Sequence, residues 1–428
     1  MKIHEMSHPD PFRTTTTLDE VLLDTATIIE LSPQDRRIAE NRYRRLKTHI
    51  EASALAPYLI DGESLIYAQG SIATSTTIVN GTDDDERFDV DAVVEMDVPE
   101  TWASSEPLDQ LEKALQEFPG AKAIVRCTRC IQLQFASMHM DVTILDRRAR
   151  IAGARPGEIF HSPDDGGAYR VPSNPWGFTD WFRSKVKPDQ TQFAELLEKR
   201  RQTGSKRRLT EAAGEVVAKA DQQDLPAAIP SRLDAQEAIA LKLLKRNLNL
   251  HYEELTLKRP PSIYLTKFAG DFGYVDGGLS TQLYNLALSM AETLRAHIAN
   301  GTHPEEYNPS YPKDRINDRW PRQGVDGVGD MKELAGALEH LASRLQEMAA
   351  APLSEISDGI DDLFGESIGK EQRRILKERY DRRENASPIS VRPRSGQIVA
   401  PFEITQENVR EVPHHRFHPF VMDDDDDG

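Results

Sequence analysis

Hydrophobic residues recur with two different periods along this chain, and the switch between them divides it. In the first half, short apolar runs have the length and alternation of strands: SLIYAQGS (64–71), FDVDAVVEM (88–96), AIVRCTRCIQLQFA (123–136) and MHMDVTILD (138–146). Two helical stretches sit among them. SPQDRRIAENRYRRLKTHIEASAL (32–55) opens on a Ser N-cap with acidic charge close behind, and PLDQLEKALQE (107–117) keeps its leucines at helical spacing. Beyond residue 188 the strand signal fades. Helical spacing then dominates 194–220, 234–255, 261–273, 282–300 and 331–350.

This order predicts an α+β chain: a mixed sheet flanked by helices, followed by an α-helical lobe. Residues 1–30 read as a flexible leader, 31–190 as the mixed core with its long first helix, 191–382 as the helical lobe, and 383–428 as an extended acidic tail ending in MDDDDDG. The N-terminus has no apolar core of a secretory signal. No apolar run reaches the roughly 18–20 residues of a spanning helix, so a cytoplasmic protein away from membranes is expected.

Charge narrows the partners. A formal net charge of −17 on 428 residues opposes loose binding to nucleic acid or anionic lipid. It does not oppose a nucleotide held by bound metal at a local site. The basic run KRRQTGSKRR (199–208) reads as a solvated helix face, with weak RNA contact as the alternative. The two cysteines, Cys127 and Cys130, stand in a segment that reads as strand, where they are expected to pack; a redox or half-zinc role is the alternative.

Three short signals carry the chemistry. Gly70-Ser71 follows a strand and precedes an expected helix start at ATSTT (73–77); glycine admits close phosphate approach, and Ser71 adds a donor. A plain strand-to-helix turn is the alternative. Asp89 and Asp91, two apart on a strand, face one side, where their repulsion calls for a divalent cation or for open solvent. Asp141 interrupts the apolar strand 138–146, and a buried carboxylate needs a partner. If that strand neighbours the first, all three carboxylates meet. They then suit two magnesium ions, with manganese as a substitute, for attack on the α-phosphorus of a nucleoside triphosphate. His139 is expected to be an exposed alternate position, and Asp146 a turn residue.

The order Gly-Ser, Asp-x-Asp and a later lone Asp resembles the polymerase-β-like nucleotidyltransferases. QGSIATSTTI with FDVDAVVEM, NPWGFTDWF (174–182), LKLLKRN (241–247) with PSIYLTKF (261–268), and NPSYPKDRINDRW (308–320) resemble the bacterial CD-NTases, relatives of cyclic GMP–AMP synthase. The resemblance spans about residues 60 to 320. It implies a bilobed enzyme with a central cleft, in which Gly70 and Ser71 hold phosphate and Asp89, Asp91 and Asp141 bind magnesium. By motif position Lys245, with Lys242 as second choice, and Ser262 bind the donor triphosphate. Ile263 stands where some relatives carry a base-stacking aromatic. The implied substrate is ATP, alone or with other NTPs, and the implied product a cyclic di- or trinucleotide signal in bacterial anti-phage defence. A transferase placing AMP or nucleotides on a protein or RNA, or a non-catalytic nucleotide-binding scaffold, are the alternatives. No DNA partner is expected, because no Cys/His cluster is present to build the zinc insertion of the animal DNA sensors. The tail to Gly428 is compatible with an operon-encoded regulatory or conjugating protein.

Overall fold

The computed structural model describes residues 16–60, 66–79, 88–147, 155–163, 166–186, 190–211, 231–253, 255–386, 390–391 and 398–399. The polar run DDDER (83–87) and most of the acidic tail, Gly428 included, lie outside them. Two compact units result, Met1–Ile375 and Leu376–Gly428. In the second, Ser390–Val391 pairs antiparallel with Ile398–Val399. Residues 383–386 continue a helix, Glu366–Ala386, instead of starting the extended tail.

In the first unit a seven-stranded mixed sheet is built from β1 (Ile66–Gln69), β2 (Phe88–Met96), β3 (Ala123–Arg126), β4 (Ile131–Gln134), β5 (Met138–Asp146), β6 (Gly157–His161) and β7 (Tyr169–Ser173). Its main path runs β1-β2-β5-β4-β3, with β6 on the end of β5 and β7 on β6. Only β2 and β5 pair in parallel; the other pairs are antiparallel. The short β6 and β7 escaped sequence reading. Each is five residues long, and Pro172 is tolerated because β7 pairs on one side alone.

The helix α1 (Thr16–Ile29) corrects the expected flexible leader over residues 16–30; residues 1–15 of that expectation lie outside the described residues. Leu18, Leu22, Leu23 and Ile29 are buried among the later helices. At roughly 1.5–3 kcal/mol per buried aliphatic side chain, that face holds the segment in place. The helix α2 (Pro33–Glu51) starts where its capping box predicts: the Ser32 hydroxyl accepts from the Asp35 N–H while Asp35 receives the Ser32 N–H. Ala39, Tyr43, Leu46 and Ile50 line its inward face. Next come α3 (Gly70–Ala73), α4 (Glu106–Leu115) and α5 (Pro175–Lys185). The helical half follows as α6 (Thr191–Glu211), α7 (Gln236–Tyr252), α8 (Ser262–Phe272), α9 (Leu279–Ala299), α10 (Val325–Ala350), α11 (Leu353–Phe364) and α12 (Glu366–Ala386), with a small hairpin, Tyr307–Asn308 and Tyr311–Arg315, between α9 and α10.

Two large hydrophobic clusters, with a small third of Tyr67, Val93 and Leu145, are found among the described residues of this unit. One large cluster lies under the sheet with α2 and α4; the other joins α1 to α5 and the helices after it. Phe182 and Val186, ahead of the boundary expected at 190, belong to the helical cluster.

A buried charge network links α1, α6 and α7. Glu30 receives Lys242 at 2.6 Å and both Arg201 Nε and Nη2, and Arg201 also grips Asp234. Burial by itself would raise the Glu30 carboxyl, but Lys242 and Arg201 hold it down to about 2. Arg200 pairs with Asp24. Within the basic run at 199–208, Arg200 and Arg201 are thus turned inward into ion pairs and are not part of a solvated face, whereas Lys199 is exposed; the side chains of 203–208 lie outside the described residues.

Candidate active site

Strand pairing places the three aspartates. Asp91 and Asp141 are direct partners across the parallel β2–β5 ladder, and Asp89 lies two residues before Asp91 on the same face. On the other side Gln69, the last residue of β1, partners Asp91. The chain then turns into Gly70 at the foot of that carboxylate. The helix begins at Gly70 and ends at Ala73, earlier than the start expected at 73–77.

Gly70 has φ +63°, and a Cβ there would meet Asp91 Oδ2 at 2.1 Å. No other residue type fits this turn without displacing the carboxylate. Ser71 is held from behind: its hydroxyl accepts from Thr77 Oγ1 at 3.1 Å, and its carbonyl accepts from the Thr76 N–H at 2.8 Å. Among the described residues the Ser71 hydroxyl donates to no protein acceptor.

Two of the three aspartates are raised by burial and by their neighbours. Burial, then Asp141, then Asp89 push the Asp91 carboxyl up to about 7. Burial, then Asp141, push Asp89 up as well, against His139 and Arg259. His139 is therefore no exposed alternate position: it partners Asp89 across the ladder, with Nδ1 at 3.5 Å from Asp89 Oδ1. Tyr43 of α2 reaches under β2 and donates to the Asp91 carbonyl at 2.7 Å. Asp146 proves to be a buried β5 terminus rather than a turn residue, paired with Arg170 at 2.5 Å.

The cations come from the helical half. Lys245 of α7 is buried and donates to Thr76 Oγ1 at 2.8 Å, beside the Gly-Ser turn. Burial, then the nearby Arg259, lower it to about 7, while Asp91 opposes the shift. Lys242 faces Glu30 instead and does not join the aspartates. Ser262 opens α8, and its neighbours Pro261 and Ile263 line a cleft with Arg129, Arg259 and Arg319. Sequence reading missed Arg259; its one signal is a basic pair set directly before a Pro-Pro-Ser helix start.

The cysteines flank the two-residue turn between β3 and β4, where the Cys127 N–H donates to the Cys130 carbonyl at 2.9 Å. The segment 123–136 is thus a hairpin, not one strand, and both thiols are half-buried at its tip. Burial, then Asp141, raise both thiols.

Among the described residues, no three His, Cys, Asp or Glu side chains are gathered closely enough to hold a metal ion unaided. The donor set nonetheless suits magnesium, which binds through one or two carboxylates and completes its shell with water and substrate phosphate. The cost of crowding at Asp91 is what such a cation would remove.

Residues 17–185 match the Second Messenger Oligonucleotide or Dinucleotide Synthetase domain. Over 402 residues the chain is 31% identical to the cyclic dinucleotide synthase CdnG of Bradyrhizobium diazoefficiens, covering 92% of this chain and 90% of that protein. The chain belongs to the CD-NTase family. A solved structure of the Bradyrhizobium diazoefficiens CD-NTase CdnG in complex with GTP matches with a TM-score of 0.68 at 29% identity, covering 84% of this chain and 99% of that one. This CD-NTase is accordingly a nucleotidyltransferase of polymerase-β-like fold, of the cyclic-oligonucleotide-synthase kind. Among its described residues no helix is long and apolar enough to cross a membrane.

Proposed function

We propose that this CD-NTase converts ATP, alone or with GTP, into a cyclic di- or trinucleotide with release of pyrophosphate. Asp89, Asp91 and Asp141 would hold magnesium, or manganese in its place. The observation that carries the reading is the ladder pairing of Asp91 with Asp141, which crowds carboxylates at one spot. GTP enters because the related CdnG was solved with it. Family membership further supports a cytoplasmic role in anti-phage signalling, with the tail to Gly428 as the place where an operon-encoded partner would attach.

When bound, magnesium offsets phosphate charge and makes the attacking hydroxyl more acidic. The protein's own residues do the rest. Gly70 lets the backbone approach the phosphates, and Ser71 donates to them. Lys245 meets them as a cation, and Arg259 adds a second positive charge from the cleft wall. Ser262 offers a further donor at the start of α8. Incubating the protein with all four NTPs and magnesium, then identifying the product by mass spectrometry, tests the reading. A labelled protein or RNA, in place of a small phosphatase-resistant product, would overturn it.

Lys245 gives a sharper check. Its pKa of about 7 leaves it mostly neutral at pH 7.5. A triphosphate favours the charged form, so binding a non-hydrolysable ATP in EDTA takes up a proton. Calorimetry in two buffers of different ionisation enthalpy reads that uptake directly. Lys245→Met lowers the uptake to the share of Asp91, whose carboxyl also stands at about 7 and is raised further by triphosphate, and it raises the half-saturating NTP concentration roughly tenfold to a hundredfold, a charge-assisted contact's contribution.

A further inference from the structure

The polar residues of β4 form a row that continues the site. Gln132 partners Asp141 across the antiparallel β4–β5 ladder, and Gln134 partners His139. Since β2 carries Asp91 opposite Asp141 and Asp89 opposite His139, two parallel rows cross one face of the sheet. One row is Asp91, Asp141, Gln132; the other is Asp89, His139, Gln134. Within this grid the side chains connect. Gln132 Nε2 donates to Asp141 Oδ1 at 3.0 Å, and Gln134 Nε2 donates to Gln132 Oε1 at 2.8 Å.

The second contact gives the first its direction. A glutamine amide alone can turn either its oxygen or its nitrogen to a neighbour. With Gln134 donating to its oxygen, Gln132 must present its nitrogen to Asp141. The two outer aspartates thus each have a side-chain neighbour on the same face, Gln132 for Asp141 and His139 for Asp89. No side-chain donor to the carboxylate of the central Asp91 is seen among the described residues.

We propose that Gln132 and Gln134 are a positioning relay that fixes one oxygen of Asp141 and leaves the other for a cation. Neither glutamine touches substrate in this role; both act through Asp141. The proposal rests on the metal-binding reading of the three aspartates and goes beyond it. Outer partners of this kind set ligand orientation, and losing one typically costs about tenfold to a hundredfold in metal affinity or activity.

The test is a Mn²⁺ titration of the full-length protein with a non-hydrolysable ATP, reading free Mn²⁺ by electron paramagnetic resonance. Circular dichroism checks the fold of each variant. Gln132→Leu, which suits a strand, is expected to weaken Mn²⁺ binding at least fivefold. Gln134→Leu is expected to weaken it less. The double variant should be no worse than Gln132→Leu alone, because Gln134 acts only through Gln132. Gln134→Glu keeps the size but replaces the donor with an acceptor. It lets the Gln132 amide turn round, so it should weaken binding as much as Gln132→Leu. A generic packing role would not give that pattern. Asp141→Asn serves as the reference. If it loses Mn²⁺ while Gln132→Leu binds as wild type, the relay is wrong and the metal reading stands. If Asp141→Asn itself binds Mn²⁺ as wild type, the metal reading fails and the relay with it.

Discussion

Asp91→Asn is expected to lower the rate of product formation by at least about 10³-fold while making the metal-free protein more stable at neutral pH. The two effects share one cause. Asp91 is pushed up to about 7 by burial and by Asp141 and Asp89; in the unfolded chain it titrates near 3.9. Between those values the folded state holds the extra proton. Its stabilising contribution is complete below about pH 4 and is lost as pH rises to about 7. Allowing for the partial solvent exposure of Asp91, the loss is about 2 kcal/mol. The Asn variant has no proton to lose.

Thermal melts in EDTA from pH 4 to 8 check this as the difference between wild type and variant, so that other groups cancel. Wild type should lose ground steadily to Asp91→Asn as pH rises, and magnesium with a non-hydrolysable ATP should restore it. A flat difference would show that the carboxylates are not crowded. Lys245 acts in a separate window. Its folded pKa of about 7 lies below the unfolded value near 10.4, so its contribution rises with pH across that interval.

Gly70→Ala is expected to cut activity about 10²-fold, more than its modest effect on folding would suggest. Two strains coincide. A left-handed φ of +63° costs a non-glycine residue about 1–2 kcal/mol. The new methyl group would also lie 2.1 Å from Asp91 Oδ2 and 2.9 Å from its Cγ. That carboxylate is the free end of a side chain, so the clash is relieved by rotating it. The fold then survives, while a proposed metal-binding group is moved off its position. Combining Gly70→Ala with Asp91→Asn separates the causes. If the clash matters, the glycine change should cost almost no further activity in the Asn background. An equal loss in both backgrounds would assign the effect to backbone strain alone.

Much of this architecture was legible before any coordinates. The Ser32 cap, the helical spacing of 33–51 and the long apolar periods of α7, α9 and α10 are local signals that the tertiary structure keeps. Local signals failed where the partner decides the outcome. The segment 16–29 looks like a leader until the later helices supply a surface for its leucines. The stretch 123–136 scans as one strand because both arms of a tight hairpin keep the alternation through CTRC. His139 seemed to point away from the site because which face a strand buries depends on its neighbours.

The same division holds at the site. Asp-x-Asp two apart on a strand face one side by backbone geometry, so the sequence alone determined that Asp89 and Asp91 share a face. That Asp141 joins them depends on β5 running parallel beside β2 in a register of zero offset between Asp91 and Asp141. A slip of one residue would have turned it to the opposite face. Only the packed structure could separate Lys245, which points to the Gly-Ser turn, from Lys242, which Glu30 captures. Both are lysines three apart on one helix, and their surroundings, assembled from distant parts of the chain, set their tasks.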